Sequence, residues 1–237
     1  MPIPVHSCRF SRSPGFTLAE ILIAIAIFAL LVSIIMGSFS GVFSQTEQLA
    51  RERMNRDMAR NCLVRMSTDL GNIFIIRPPI FVPPATGQEP SPFRFVARDS
   101  TARGGDAVQL QFASRAHVDF NGDGRQGIAI IRYYLEAVGA GPEPVYRLRR
   151  GDVLADVGSL PEPANDPILC ENIRTLNLSY IDAEGESSKE WDSSSIDYGY
   201  ATPRAVRIRL ELAADDDVTV FQTVVSLPLW RPASGKV

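Results

Sequence analysis

The run Asp119-Phe120-Asn121-Gly122-Asp123-Gly124 alternates oxygen-bearing side chains and places a glycine at its sixth position. In that pattern Asp119, Asn121 and Asp123 can wrap a hard cation such as calcium. The bidentate acid expected at the twelfth position is missing, because residue 130 is Ile. This excludes an EF-hand and leaves a short loop site, to be completed by a backbone carbonyl or a distant carboxylate. Asp, Asn and Gly in this order also form a turn without any metal, and both readings stand. A second acidic run, Asp215-Asp216-Asp217, lies between two apolar alternating stretches and reads as a solvated hairpin turn.

The thiols and the histidines offer little catalytic chemistry. Cys8, Cys62 and Cys170 have no zinc spacing. Cys62 and Cys170 either pair as a disulfide, if a helix end packs beside Ile168–Glu171, or remain as two buried thiols. Only His6 and His117 can serve as an imidazole base. G-x-S-x-G, a phosphate-binding loop, H-E-x-x-H and C-x-x-C are all lacking, so the chain is not expected to be an enzyme. A net charge of −3 and no basic stripe argue against a nucleic-acid partner.

One carboxylate stands where a charge is costly. Glu20 precedes a stretch, Ile21 to Thr46, with no charged residue, although 22% of the chain is charged. The stretch begins Ile21-Leu22-Ile23-Ala24-Ile25-Ala26-Ile27-Phe28 and is long enough for a bilayer, which takes roughly 20 apolar residues. A carboxylate in hydrocarbon costs about 2.5–3.5 kcal/mol on insertion scales, so Glu20 needs a cation or a place at the headgroups. Small, turn-prone residues, Ser13-Pro14-Gly15, lie before the apolar run, whereas a secretory signal has its cleavage site after it. A protease acting after Gly15 would keep the helix and free the α-amine of Phe16 at the depth of Glu20. Within one chain these groups sit at opposite ends of a single turn; between neighbouring helices they can pair and set the axial register. The leader, residues 1–15, carries Arg9 and Arg12 and no acid, as a cytoplasmic tail does. Arginines at 51, 53, 56, 60 and 65 on the far side keep charge bias alone from setting the orientation.

Gly15-Phe16-Thr17-Leu18-Ala19-Glu20, after a short basic leader and before a long apolar helix, resembles the class III signal of type IV pilins and type II secretion pseudopilins. The resemblance implies cleavage between Gly15 and Phe16 by prepilin peptidase, N-methylation of Phe16, and a subunit contact at Glu20. It also implies assembly of the helix into a filament core by an inner-membrane platform. Ala19 stands where that family commonly has leucine. A signal-anchored adhesin or sensor domain, which would need neither Gly15-Phe16 nor Glu20, is the alternative.

Positioning these residues requires a helix and then a sheet. Met54, Met58, Ala59, Cys62, Leu63, Met66 and Leu70 recur at helical spacing, so one helix is expected from Phe16 to Leu70. Glu47 with Arg51, Glu52 with Arg56, and Arg53 with Asp57 lie on its other face, and Gly71-Asn72 supplies the stop. Residues 78–92 hold six of the 17 prolines and read as an extended loop. The periodicity then becomes two, with strands expected at Phe93–Ala97, Ala107–Ala113, Ile128–Leu135, Val145–Arg149, Ile173–Ile181, Ala205–Leu212 and Val218–Leu227. The fold class is α+β, a long N-terminal helix packed on a mostly antiparallel sheet. The expected parts are a leader (1–15), a transmembrane or filament-core helix (16–46), an amphipathic helix half (47–72) and a β-rich periplasmic domain (73–237).

Arg65-Met66-x-x-Asp69-Leu70, then Arg77-Pro78, resembles the minor pseudopilin J of type II secretion. So does the later order of Val145-Tyr146-Arg147, Ile173-Arg174-Thr175-Leu176-Asn177-Leu178-Ser179-Tyr180, Trp191 and Thr202-Pro203-Arg204-Ala205-Val206-Arg207-Ile208. This resemblance implies a place at the filament tip with minor pseudopilins of the I and K types, above the major pseudopilin, where secreted substrates can be contacted. A minor pilin of a type IV pilus is the nearest alternative.

Overall fold

The computed structural model of the protein describes residues 15–85, 87–99, 108–119, 122, 124–139, 144–155, 166–214 and 217–234. The leader residues 1–14, the expected metal ligands Asn121 and Asp123, and the turn residues Asp215 and Asp216 lie outside them. The chain divides into two units, residues 1–51 and 52–237, described here separately.

In the first unit a single α-helix, α1 (Leu18–Gly71), begins and continues past the division. Its Leu18–Gly37 segment has 20 residues, is apolar enough to cross a membrane, and is 0% buried within the chain. At about 1.5 Å per residue it matches a hydrocarbon layer of about 30 Å. The Ser33 hydroxyl donates to the Ala29 carbonyl at 2.9 Å, so this polar group is satisfied inside the helix.

In the second unit the helix buries one stripe. Ala59, Cys62, Met66 and Leu70 are fully buried at three- and four-residue spacing, with Met58 and Leu63 packed at the margin. Met54, expected in the same stripe, is 65% exposed, because core packing begins one turn later at Met58. After the last helical residue, Gly71, the Asn72 backbone N–H and side-chain amide both donate to the Thr68 carbonyl, at 3.1 and 2.8 Å. An otherwise orphaned carbonyl is thereby satisfied.

Among the described residues, nine strands form one antiparallel sheet: β1 (Val96–Ala97), β2 (Val108–Ser114), β3 (Ala129–Val138), β4 (Val145–Leu154), β5 (Ile168–Ile181), β6 (Ser187–Ser188), β7 (Trp191–Asp192), β8 (Ala205–Ala214) and β9 (Asp217–Ser226). Their order is β7-β1-β2-β3-β4-β5-β8-β9, with β6 paired to β5. The fold is α+β and pilin-like, as expected. Val206, Ile208, Leu210 and Leu212 of β8 are fully buried; Arg209 and Glu211 between them pair at 2.8 Å on the outer face. Ala214 stands opposite Asp217, so β8 and β9 make the expected hairpin. Phe95, Phe112, Tyr133 and Tyr180 line the core, their ring centroids 5.6–6.4 Å apart.

The strand expected at Phe93–Ala97 shrinks to Val96–Ala97. Its backbone donors go elsewhere: Phe93 N–H to the Ser91 hydroxyl at 3.2 Å and Phe95 N–H to the Ser193 hydroxyl at 2.9 Å. Strand β5 instead starts five residues early, at Ile168, because a kink at Asn172, with φ at 56°, and register shifts beside Ile173 let pairing resume beyond Glu171. Two-residue strands such as β6 and β7 are too short to leave a periodic signal.

Candidate functional site

The start of α1 is built as a capping box. Thr17 sits just before the helix, and its backbone N–H and hydroxyl both donate to Glu20 Oε2, at 2.9 and 3.0 Å. Glu20 N–H donates back to Thr17 Oγ1 at 3.3 Å. The box satisfies helix-end donors and sets a negative charge at the positive end of the helix dipole. Glu20 therefore has an internal partner that the sequence reading missed, although Thr17-x-x-Glu20 ahead of an apolar run is the signal for it. Phe16 is 85% exposed, and a Cβ added at Gly15 would meet nothing within 4 Å. The segment Gly15-Phe16 is thus open on all sides, whereas Glu20 is held in place.

At the candidate metal loop, Asp119 Oδ1 accepts from Gly122 N–H at 2.7 Å and Oδ2 from Gly124 N–H at 2.8 Å. Both glycines have left-handed backbones, with φ of 69° and 71°, which residues with a Cβ rarely adopt. Both carboxylate oxygens of Asp119 thus accept backbone amides. Among the described residues, no three or more His, Cys, Asp and Glu side chains gather closely enough to hold a metal.

A buried ionic network fastens the end of α1 to the sheet, and of its members the family resemblance carried only Arg65 and Asp69. Asp69 is fully buried. It accepts from Arg150 Nε at 2.7 Å and Nη2 at 3.1 Å, from Arg65 Nη2 at 2.5 Å, and from the Tyr133 hydroxyl. Arg150 reaches on to Asp152 at 2.7 Å, and the His117 Nδ1 lies 2.6 Å from the same carboxylate. The network thus runs from the last turn of α1 through β4 to residues 116–118, next to the Asp119 loop. Burial alone would push the Arg150 pKa down, but hydrogen bonds and charge from Asp69 and Asp152 carry it above its ordinary value. The Tyr133 hydroxyl is held well above its ordinary pKa, first by burial and then by the Asp69 charge. Register explains the geometry: Tyr133 and Arg150 are direct partners on β3 and β4, so both face α1.

The opposite face of the same strands carries a second cluster. Asp166 accepts from Arg132 at 3.3 Å and from the Tyr134 hydroxyl at 3.2 Å, while Arg149 pairs with Glu136 at 2.9 Å. The Arg132 side chain crosses Gly151, where an added Cβ would stand 2.5 Å from Nε and 2.6 Å from Asp166 Oδ2. Burial and then the Asp166 charge push the Tyr134 pKa up to about 12.

These arrangements bind, cap and fasten. Residues 37–223 match the family model of the type II secretion system protein J, and residues 10–36 match the prokaryotic N-terminal methylation motif. The two matches meet at Met36 and Gly37, the end of the exposed apolar segment. No curated protein matches the chain. With well over half of its residues under one model, an apolar helix to anchor it in a membrane and a pilin-like sheet, the chain belongs to the protein J family of type II secretion pseudopilins.

Proposed function

We propose that the chain is a minor pseudopilin of the pseudopilus tip, where it initiates filament assembly with minor pseudopilins of the I and K types, above the major pseudopilin, and supports export of secreted substrates. In this reading prepilin peptidase removes residues 1–15 by cutting between Gly15 and Phe16, and Phe16 is N-methylated. The N-terminus faces the cytoplasm, residues 16–46 form the filament-core helix, 47–72 its amphipathic half, and 73–237 the periplasmic domain.

The observation that carries the proposal is the Thr17–Glu20 cap on a 20-residue apolar helix that its own chain leaves uncovered. An apolar surface of this size is stable only in lipid or against other helices. The cap engages Oε2 of Glu20, holding the carboxylate at the helix end, where the methylated Phe16 amine of a neighbouring subunit can approach. Such an approach neutralises a charge in a medium where its isolated cost is about 2.5–3.5 kcal/mol.

Two experiments test this. Co-expression with prepilin peptidase should shorten the chain by residues 1–15 and leave a methylated Phe16, whereas a retained leader would reduce it to a simple anchored domain. The detergent-solubilised full chain should capture I- and K-type minor pseudopilins, and Glu20→Gln should weaken filament incorporation while leaving cleavage intact. Failure to form the complex would sink the tip assignment and leave the family membership standing.

A further inference from the structure

We infer that Cys62 and Cys170 are joined by a disulfide in the mature protein, tying α1 covalently to β5. The inference rests on the periplasmic placement proposed above, because that compartment lets disulfides form and persist.

The geometry is that of a poised pair. Cys62 and Cys170 are 0% and 1% exposed and belong to the same core cluster. Both are free thiols, and each shifts the other's titration, Cys62 upward and Cys170 downward, as neighbouring thiols do. One turn back along α1, Met58 Sδ accepts the Glu171 backbone N–H at 3.4 Å, so this turn of the helix lies directly against the strand at residues 170 and 171. Cys170 Sγ also donates to its neighbouring carbonyl, Glu171 O, at 3.7 Å. Closing the bond brings the two sulfurs to about 2 Å of each other, between a helix turn and a strand that the Met58–Glu171 contact already holds together.

The chemistry balances as follows. The S–H bonds of Cys62 and Cys170 break, a Sγ–Sγ bond forms, two protons go to water, and two electrons reduce the disulfide of a thiol–disulfide oxidant of the oxidising compartment. The step proceeds by exchange through a mixed disulfide. Because both sulfurs are sealed in the finished core, it belongs to folding, before α1 closes over β5. The closed loop takes in most of the globular unit, and long loops gain the most from restricting the unfolded chain. Its consequence for assembly is a helix that cannot peel from its sheet at Cys62 when neighbouring subunits load it.

The test uses the full chain, extracted from membranes with thiols alkylated at lysis, together with a C-terminal topology reporter. Peptide mapping without reductant should show Cys62 and Cys170 unalkylated, in one linked peptide two hydrogen masses lighter than the separate pair, which reduction separates. Reduction should lower the melting temperature of the wild type by several degrees, and the double variant C62A/C170A should fold, melt lower and ignore reductant. A companion arm refolds the full chain in a glutathione redox buffer, where the same linked peptide should form. Both cysteines alkylated in a chain whose reporter is periplasmic, or alkylated after oxidative refolding, would overturn the inference. A cytoplasmic reporter would overturn the placement instead, and the refolding arm would still decide the bond.

Discussion

At the residue scale, Asp69 carries the heaviest obligation. Its carboxylate pairs with both Arg150 and Arg65 and accepts from Tyr133, all where water does not reach it. Removing one partner of a buried pair leaves an uncompensated charge, so Asp69→Ala should destabilise the fold by about 3–5 kcal/mol, read in thermal or denaturant melts. Tyr134 makes a pH prediction with a definite sign. Its pKa rises from an ordinary 10.0 to about 12 in the folded chain, so its stabilisation is whole below pH 10 and is lost as pH climbs toward 12, where the unfolded state ionises first. Melts between those limits should fall in the wild type and fall less steeply in Tyr134→Phe; equal slopes would refute the assignment. Asp119 tests the loop. Its two amide bonds predict a loss of about 0.5–1.5 kcal/mol in Asp119→Ala. On the calcium reading, with Asn121 and Asp123 as further ligands, the wild type would also melt higher in calcium than in chelator. Asp69 and Tyr134 were not legible as site residues, because the partners that bury or perturb them, Arg150, Tyr133 and Asp166, lie far along the chain.

At the element scale, β3 and β4 act as a two-faced plank. Arg132, Tyr134 and Glu136 face one side with Arg149, and Tyr133 and Arg150 face the other. Gly151 opposes Arg132 in this register and leaves the space its side chain crosses. Gly151→Ala should cost about 1–3 kcal/mol by overpacking, and a variant as stable as the wild type would show that Arg132 and Asp166 shift freely. Strands such as β8 were legible, since period-two alternation states directly which side chains are buried. The ends of β1 and β5 were not: at β1 the backbone donors went to Ser91 and Ser193 hydroxyls, and at β5 a left-handed Asn172 carried the strand past a polar break. Competition from side-chain acceptors and tolerated bulges has no periodic signature.

At the scale of the whole molecule, Arg231 closes the second unit. Its guanidinium donates to the carbonyls of Tyr200, Ile76 and Ser193 at 2.7, 2.9 and 2.7 Å and lies 3.4 Å over the Phe81 ring. The segment after α1, the turn before β8 and the C-terminal stretch thus meet on one side chain. A lysine lacks the planar fork needed for three such bonds, so Arg231→Lys should lower the melting temperature and speed proteolysis within residues 78–92. Unchanged cleavage would show that the loop is held by its prolines alone. The sequence by itself determined what depends on near neighbours: the charge-free helix, the Gly15-Phe16 pair ahead of it, Glu20 at its start, and the shift from helical to strand periodicity that makes the chain α+β. Only the tertiary structure decided what depends on partners far along the chain: Asp69 between Arg65 and Arg150, Asp166 across Gly151, Cys62 against Cys170. A side chain's periodicity reports whether it is buried, but the identity of what it is buried against follows from strand order and register, which no local pattern contains.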